Sequence, residues 1–197
     1  MAHGDNDGLR VPPRLAPIQV IVVAIKGEVI DATEEIARDI QGVGVRAQTD
    51  TRTNIPYGRR AVDWELKGVP LRIELGPRDM VTGSVSVVRR IPRLKTIVAF
   101  SELTGEIKRL LEADHADMLN DARADRDARI SDVSTVAEAV DATVSGWARI
   151  PWSVITTEDE DRLGRSSRSV RCLQRQDGSV PEDENEEGLL AYIARAY

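Results

Sequence analysis

Polar and apolar positions alternate with three distinct periods along the 197-residue chain, and each predicts an element. Ile18–Ile25 reads IQVIVVAI, an almost unbroken β-branched run. A strand without polar alternation belongs inside a sheet, buried on both faces. Val29, Thr33, Ile36 and Ile40 then recur at helical spacing, and Gly42 and Gly44 close that helix. Val45–Thr49 is strand-like again, so residues 18–49 form a strand–helix–strand unit with a parallel, right-handed crossover. Arg59–Lys67 predicts a short helix stopped by Gly68. Leu71–Leu75 predicts a strand with Arg72 and Glu74 on one exposed face and Leu71, Ile73 and Leu75 on the other. Gly76–Asp79 predicts a tight turn, and Ser84–Arg90 with Lys95–Phe100 a hairpin.

Beyond Ser101, Leu103, Ile107, Leu111, His115, Leu119 and Ala122 share a face of one long helix reaching about Arg129. A smaller unit follows. Ser134 is placed to cap a helix through Val140, Gly146–Trp152 holds a strand, and Thr157 to Glu160 matches a capping box. Ser169–Gln174 and Leu189–Tyr197 are strands separated by a polar, acidic loop, Gln176–Gly188, that is expected to be mobile. Residues 1–17 have no periodicity and read as an extended connector. The expected architecture is α/β: a five-stranded mixed sheet with flanking helices, a long helix, and a small α/β domain.

Composition narrows the function classes. Hydrophobic residues make up 41% and charged residues 30%, as in an ordinary globular protein. The longest apolar run, Pro17–Ile25, is strand-sized, and the N-terminus carries no basic-then-apolar signal, so a cytoplasmic location without membrane partners is expected. The lone cysteine, Cys172, excludes an internal disulfide and reads as a small buried residue of a strand. His3 and His115 are the only histidines, and His115 reads as a packing residue. The net charge of −6 disfavours broad phosphate binding. Between Arg46 and Lys95, however, eleven Lys or Arg face five Asp or Glu, which leaves a locally basic surface available.

Three blocks carry a family resemblance. The first is His3–Val20, HGDNDGLRVPPRLAPIQV; the second is Asp63–Asp79, DWELKGVPLRIELGPRD; the third is the terminal Ala194-Arg195-Ala196-Tyr197. Together they resemble the archaeal-type prolyl-tRNA synthetases of class IIa, over essentially the whole chain and most strongly over residues 3–79. The resemblance implies a connector from a catalytic domain (1–16), an anticodon-binding domain (17–115), a linking helix (116–130) and a C-terminal domain (131–197). It implies tRNA(Pro) as partner, a catalytic domain upstream, and a homodimeric parent enzyme using ATP and Mg. The family's catalytic motifs lie before the HGD segment, so no catalytic residue is assigned and the chain alone is expected to lack aminoacylation activity.

Two adjacent guanines in the tRNA(Pro) anticodon set the recognition chemistry. A carboxylate can accept from guanine N1–H and N2–H, and Arg or Lys suits O6 and N7. On the matched block these types are Glu65, Lys67, Arg72, Glu74, Arg78 and Asp79, with Arg52 beside them and Arg59 and Arg60 as further phosphate or stacking candidates. Trp64 reads as a core anchor, and Trp147 and Trp152 as packing residues. Many members bind zinc in the C-terminal domain through a cysteine after Pro-Trp. Here Pro151-Trp152 precedes Ser153 and the later cysteine pair is missing, so no metal is expected. Tyr197 is the residue whose carboxylate the family turns toward the active site. A competing reading keeps the fold but not the RNA: a free-standing, non-catalytic module used for protein interaction or dimerisation.

Overall fold

The computed structural model describes residues 3–196, so Tyr197 lies outside the described residues. The chain divides into two compact units, Met1–Asn120 and Asp121–Tyr197.

The first unit begins with a two-stranded hairpin, β1 (Gly4–Asp5) and β2 (Gly8–Leu9). Its main body holds β3 (Val20–Ala24), α1 (Ile30–Gly42), β4 (Ala47–Asp50), α2 (Tyr57–Leu66), β5 (Leu71–Leu75), α3 (Pro77–Thr82), β6 (Ser84–Arg89) and β7 (Lys95–Ala99), followed by α4 (Leu103–Asp127). The five strands run in the order β4-β3-β5-β6-β7, with β3 parallel to β4 and β5 and the remaining pairs antiparallel. The expected five-stranded mixed sheet is therefore present. β3 is its middle-left strand and is buried at all five positions.

Two different layers explain that burial. Val20, Val22 and Ala24 face a large core with Val29, Ala37 and Ile40 of the α1 region and Leu103, Ile107, Leu110 and Leu111 of α4. Ile21 and Val23 face a smaller core with Trp64 and Val69. Each fully buried Val or Ile contributes about 1.5–3 kcal/mol relative to exposure. The apolar stripe of α4 is shorter than its spacing suggests. Burial ends at Asp114, and Leu119 is exposed. From there the helix is held by charge instead: Arg89 on β6 donates to Asp114 and, at 2.7 Å, to Asp117.

Two short elements differ from expectation. Gly76–Asp79 is the start of a helix and not an isolated turn: Asp79 Oδ2 accepts the Gly76 N–H at 2.7 Å and caps α3. Residues 3–17 are not a bare connector either. The hairpin is tied to the sheet by Arg90, and Ala16 is buried. Period alone could not show this, because the segment is fixed by polar contacts.

The second unit contains β8 (Ile130–Asp132), α5 (Val136–Ala142), β9 (Trp147–Pro151), α6 (Thr157–Arg165), β10 (Arg168–Gln174) and β11 (Leu190–Arg195). Its sheet order is β10-β11-β9-β8. Val136, Ala139 and Leu163 of the two helices cover Ala148, Ile150, Ala191 and Ile193. Both helix caps sit one residue from their expected places: Thr135 caps α5 with Glu138, and Thr156 caps α6 with Asp159. The register of β10 shifts between Val170 and Cys172, which turns Cys172 outward; it is exposed, not buried as its strand context suggested. The acidic loop is braced by Arg175, whose guanidinium grips Glu186 at 2.7 and 2.9 Å.

One buried cation fixes α2 to the first sheet. Arg60 is fully buried. It donates to the carbonyls of Ala24 (2.9 Å), Ile55 (3.1 Å) and Asp50 (3.3 Å) and to the Asp50 carboxylate (3.3 Å). Removing one partner of such a set leaves an uncompensated charge. Arg60→Met is expected to destabilise the first unit by about 3–5 kcal/mol, read as a lower denaturation midpoint in urea.

Candidate functional site

The second block of the sequence becomes α2, the turn after it, and β5. α2 lies over β3 and β5 on the side opposite α1 and α4, because Trp64 packs on Ile21 and Val23. Its neighbours on the same side of the helix, Tyr57, Ala61 and Glu65, then reach the polar face of β5. Arg72 donates from Nη1 to Glu65 Oε1 at 3.0 Å and to the Ala61 carbonyl at 3.4 Å, and from Nε to Glu74 Oε1 at 3.2 Å. The Tyr57 hydroxyl donates to Glu74 Oε1, and Lys95 Nζ donates to Glu74 Oε2 at 2.8 Å. Glu65, Arg72 and Glu74 are thus one network, with Tyr57 and Lys95 completing it.

The network is not the exposed strand face that alternation suggested. Glu74 is buried and the Arg72 side chain is 11% exposed, because α2 covers β5. Both Glu74 oxygens are already occupied. Burial pushes the Glu74 carboxyl up, but hydrogen bonds from Lys95 and Tyr57 outweigh it and hold it below the usual glutamate range. Burial, with Glu74 as acceptor, pushes the Tyr57 hydroxyl up to about 12, so it stays a donor. Glu65 keeps more freedom: its side chain is 29% exposed, and Arg72 is its near partner on one oxygen. Lys95 is 56% exposed.

Strand register explains why Lys95 arrives here. Arg72 pairs with Val88 and Val88 with Lys95; Glu74 pairs with Ser86 and Ser86 with Ile97. These two rows share the face that α2 covers only over β3 and β5. Over β6 and β7 that face carries half-buried Ser86 and Val88, and Ile97 is 73% exposed. The result is a half-open sheet surface on which a carboxylate, a guanidinium and an ammonium converge beside an apolar side chain. Lys95 and Tyr57 were missed from sequence because strand order, not spacing along the chain, brings them in.

The other candidates do not join this cluster. Arg52 is bound back on Asp50 (2.8 and 3.1 Å), whose Oδ2 also accepts the Trp64 indole N–H at 2.7 Å. Burial raises the Asp50 carboxyl, and Arg52 and Trp64 more than reverse this, so Asp50 stays ionised and Arg52 is largely neutralised. Arg60 is enclosed and cannot touch RNA, a correction to its place among the phosphate or stacking candidates; Arg59 is exposed. Lys67 lies with Nζ 4.1 Å over the Trp64 ring. Arg78 is exposed on α3, and Asp79 is spent on capping that helix. Lys67 and Arg78 stand beyond opposite ends of the five-residue β5, which spans roughly 17 Å.

Trp64 is the core residue expected. Trp152 packs partly on the second core, whereas Trp147 is exposed beside a cavity of about 450 Å³ that contains none of the candidate residues. His115 is half-buried, as a packing residue would be. Among the described residues no three His, Cys, Asp or Glu gather to hold a metal ion, and the single cysteine is exposed. No helix of the described residues is long and apolar enough to cross a membrane.

Comparison with known proteins agrees with this architecture. Residues 19–110 match the family described as anticodon binding domain. The first unit is therefore an anticodon-binding α/β domain. Over its full length the chain is 50% identical to proline–tRNA ligase 2 of Streptomyces avermitilis and 42% identical to the proline–tRNA ligase of Frankia alni, covering 42% and 43% of those proteins. It also superposes along its whole length on 44% of the prolyl-tRNA synthetase of Cryptosporidium parvum solved with L-proline and AMP, with a TM-score of 0.84 and 29% identity. Along its whole length the chain matches the C-terminal portion of the proline–tRNA ligases. It spans less than half the length of the relatives it matches.

Linkage gives the network a pH signature. A carboxyl held below its unfolded value stabilises the fold above that value and loses its contribution as pH falls through the folded one. Glu74→Gln should cost about 1–3 kcal/mol at pH 7. The gap to the unsubstituted chain should close as pH drops below about 4, the ordinary glutamate range, in thermal melts across pH.

Proposed function

We propose that this chain reads the anticodon of tRNA(Pro), and that the readers are Glu65, Arg72 and Lys95 on the half-open face of the first sheet. The observation that carries the reading is their convergence around Glu74. Guanine offers N1–H and N2–H to a carboxylate, and O6 and N7 to a cation. Glu65 has an oxygen available for the donors, and Lys95 and Arg72 supply the cations. Ile97 gives an unstacked base an apolar surface to lie on. Glu74, both of whose oxygens are engaged, acts as the anchor for the readers and not as a reader. Arg52, Lys67, Arg78 and Asp79 take lesser parts: Lys67 and Arg78 are exposed cations for phosphates on either side.

The remaining parts of the reading extend to the parent enzyme. The matched blocks support the archaeal-type branch of the family. In that reading ATP, Mg and proline are handled by a catalytic domain outside this sequence. The chain alone then turns over nothing in pyrophosphate exchange, and the parent works as a homodimer in the cytoplasm. No zinc is held, since Ser153 stands where a cysteine ligand is required. Tyr197 is assigned a place facing the catalytic domain.

Binding of anticodon stem-loop RNA tests the central claim. The UGG loop should bind more tightly than a scrambled loop, and affinity should fall with salt. Glu65→Gln and Lys95→Ala should each weaken the UGG loop roughly 5- to 100-fold, in line with about 1–3 kcal/mol per base contact, and leave the scrambled loop nearly unchanged. Equal affinity for both loops in the unsubstituted chain would remove the proposal.

A further inference from the structure

The last turn of α2 carries Glu65, and a helix C-terminus is where backbone carbonyls lack partners inside the helix. Left alone, such a turn frays, and a carboxylate on it is poorly aimed. Here the turn is clamped from the N-terminal hairpin by three separate contacts. Arg90, with a side chain only 4% exposed, donates from Nη2 to Asp5 Oδ1 at 2.8 Å and from Nε to the Glu65 carbonyl at 3.3 Å. A cation at this end of a helix is also favoured by the helix dipole.

The second contact is steric. Gly8 has φ +119°, and a Cβ there would stand 2.6 Å from Leu66 Cα and 3.2 Å from the Glu65 carbonyl. Gly68, just past the helix, has φ +71°, and a Cβ there would stand 2.7 Å from Leu9 Cβ. Hairpin and helix end touch backbone to backbone, which only glycine permits. The third contact is ionic: Arg93 reaches Asp7 at 3.1 Å and Glu65 Oε2 at 4.0 Å.

We propose that the hairpin is a working part of the base-reading site: Arg90, held by Asp5, is a positioning residue for the Glu65 carboxylate, with Arg93 and Asp7 as a weaker second tether. Base discrimination by hydrogen bonds needs donors and acceptors placed to about 0.5 Å. The clamp supplies that placement from a segment more than fifty residues away in sequence. The inference rests on Glu65 accepting from guanine, as argued above.

The test uses the full 197-residue chain and two stem-loops, one with the UGG anticodon and one with inosine for both guanines. Inosine lacks the N2 amine, so the unsubstituted chain should prefer guanine by roughly tenfold. Asp5→Asn should cut that preference to about twofold by weakening guanine binding and leaving inosine binding nearly unchanged. Asp7→Asn, at a side chain that is 55% exposed, should cut it by a smaller factor. In a Glu65→Gln background neither substitution should change the ratio further, since coupled residues are not additive. An unchanged ratio in both Asp variants, with Glu65→Gln alone collapsing it, overturns the positioning role and spares the reading of Glu65. Equal losses for both RNAs mean a merely structural hairpin and likewise overturn it. A ratio unaffected by Glu65→Gln overturns both.

Discussion

A guanidinium with no access to water needs several acceptors at once, and Arg60 finds them in three separate parts of the chain: the end of β3, the end of β4, and the loop before its own helix. Those contacts leave α2 little freedom on the sheet. Trp64 adds a second fixed point by burying its ring on β3 while its N–H satisfies Asp50. Everything proposed for recognition follows from this placement, because the same helix carries Tyr57 and Glu65 to the polar side of β5. The buried Asp50–Arg60 pair is not an obvious gain in stability over an apolar packing of equal volume. It does define one orientation of α2, and orientation is what a network of four charged side chains requires.

That network differs in kind from a basic patch. The chain carries a net charge of −6, and several of its cations are already matched: Arg52 by Asp50, Arg89 by Asp114 and Asp117, Arg175 by Glu186. The recognition proposed above therefore rests on local geometry and not on bulk charge. Around Glu74 three donors, Tyr57, Arg72 and Lys95, meet one carboxylate, and Arg72 also holds Glu65, so the proposed readers are held by hydrogen bonds before any ligand arrives. A site ordered in this way loses little side-chain freedom on binding.

Much of the fold was legible in the chain itself. The β-branched run at 18–25, the stripe of α1 and the glycines that end it define a parallel crossover, and the structure has it. The WELKGVPLRIE block supplies Glu65, Arg72 and Glu74 of the polar network. Its misreadings share one cause. Period-2 alternation says that Arg72 and Glu74 lie on one face of β5, but it cannot say that another helix covers that face. Lys95 belongs to the site only through the pairing of β5, β6 and β7, which spacing along the chain does not encode. Cys172 was misplaced because a bulge reverses the inside–outside alternation that a regular strand would keep. The hairpin at residues 4–9 has no hydrophobic period to betray it, since glycine contacts and ion pairs hold it.

The proposed readers sit on three different elements, α2, β5 and β7; Arg72 and Lys95 bond to Glu74 directly and Glu65 is linked to it through Arg72. A substitution that altered the base preferred by one of them would disturb the anchor shared by the rest. Drift toward a different anticodon would then have to pass through variants that read neither. A surface wired in this way is conservative in the evolutionary sense: it is hard to retune by single steps, however variable the strands and loops around it become.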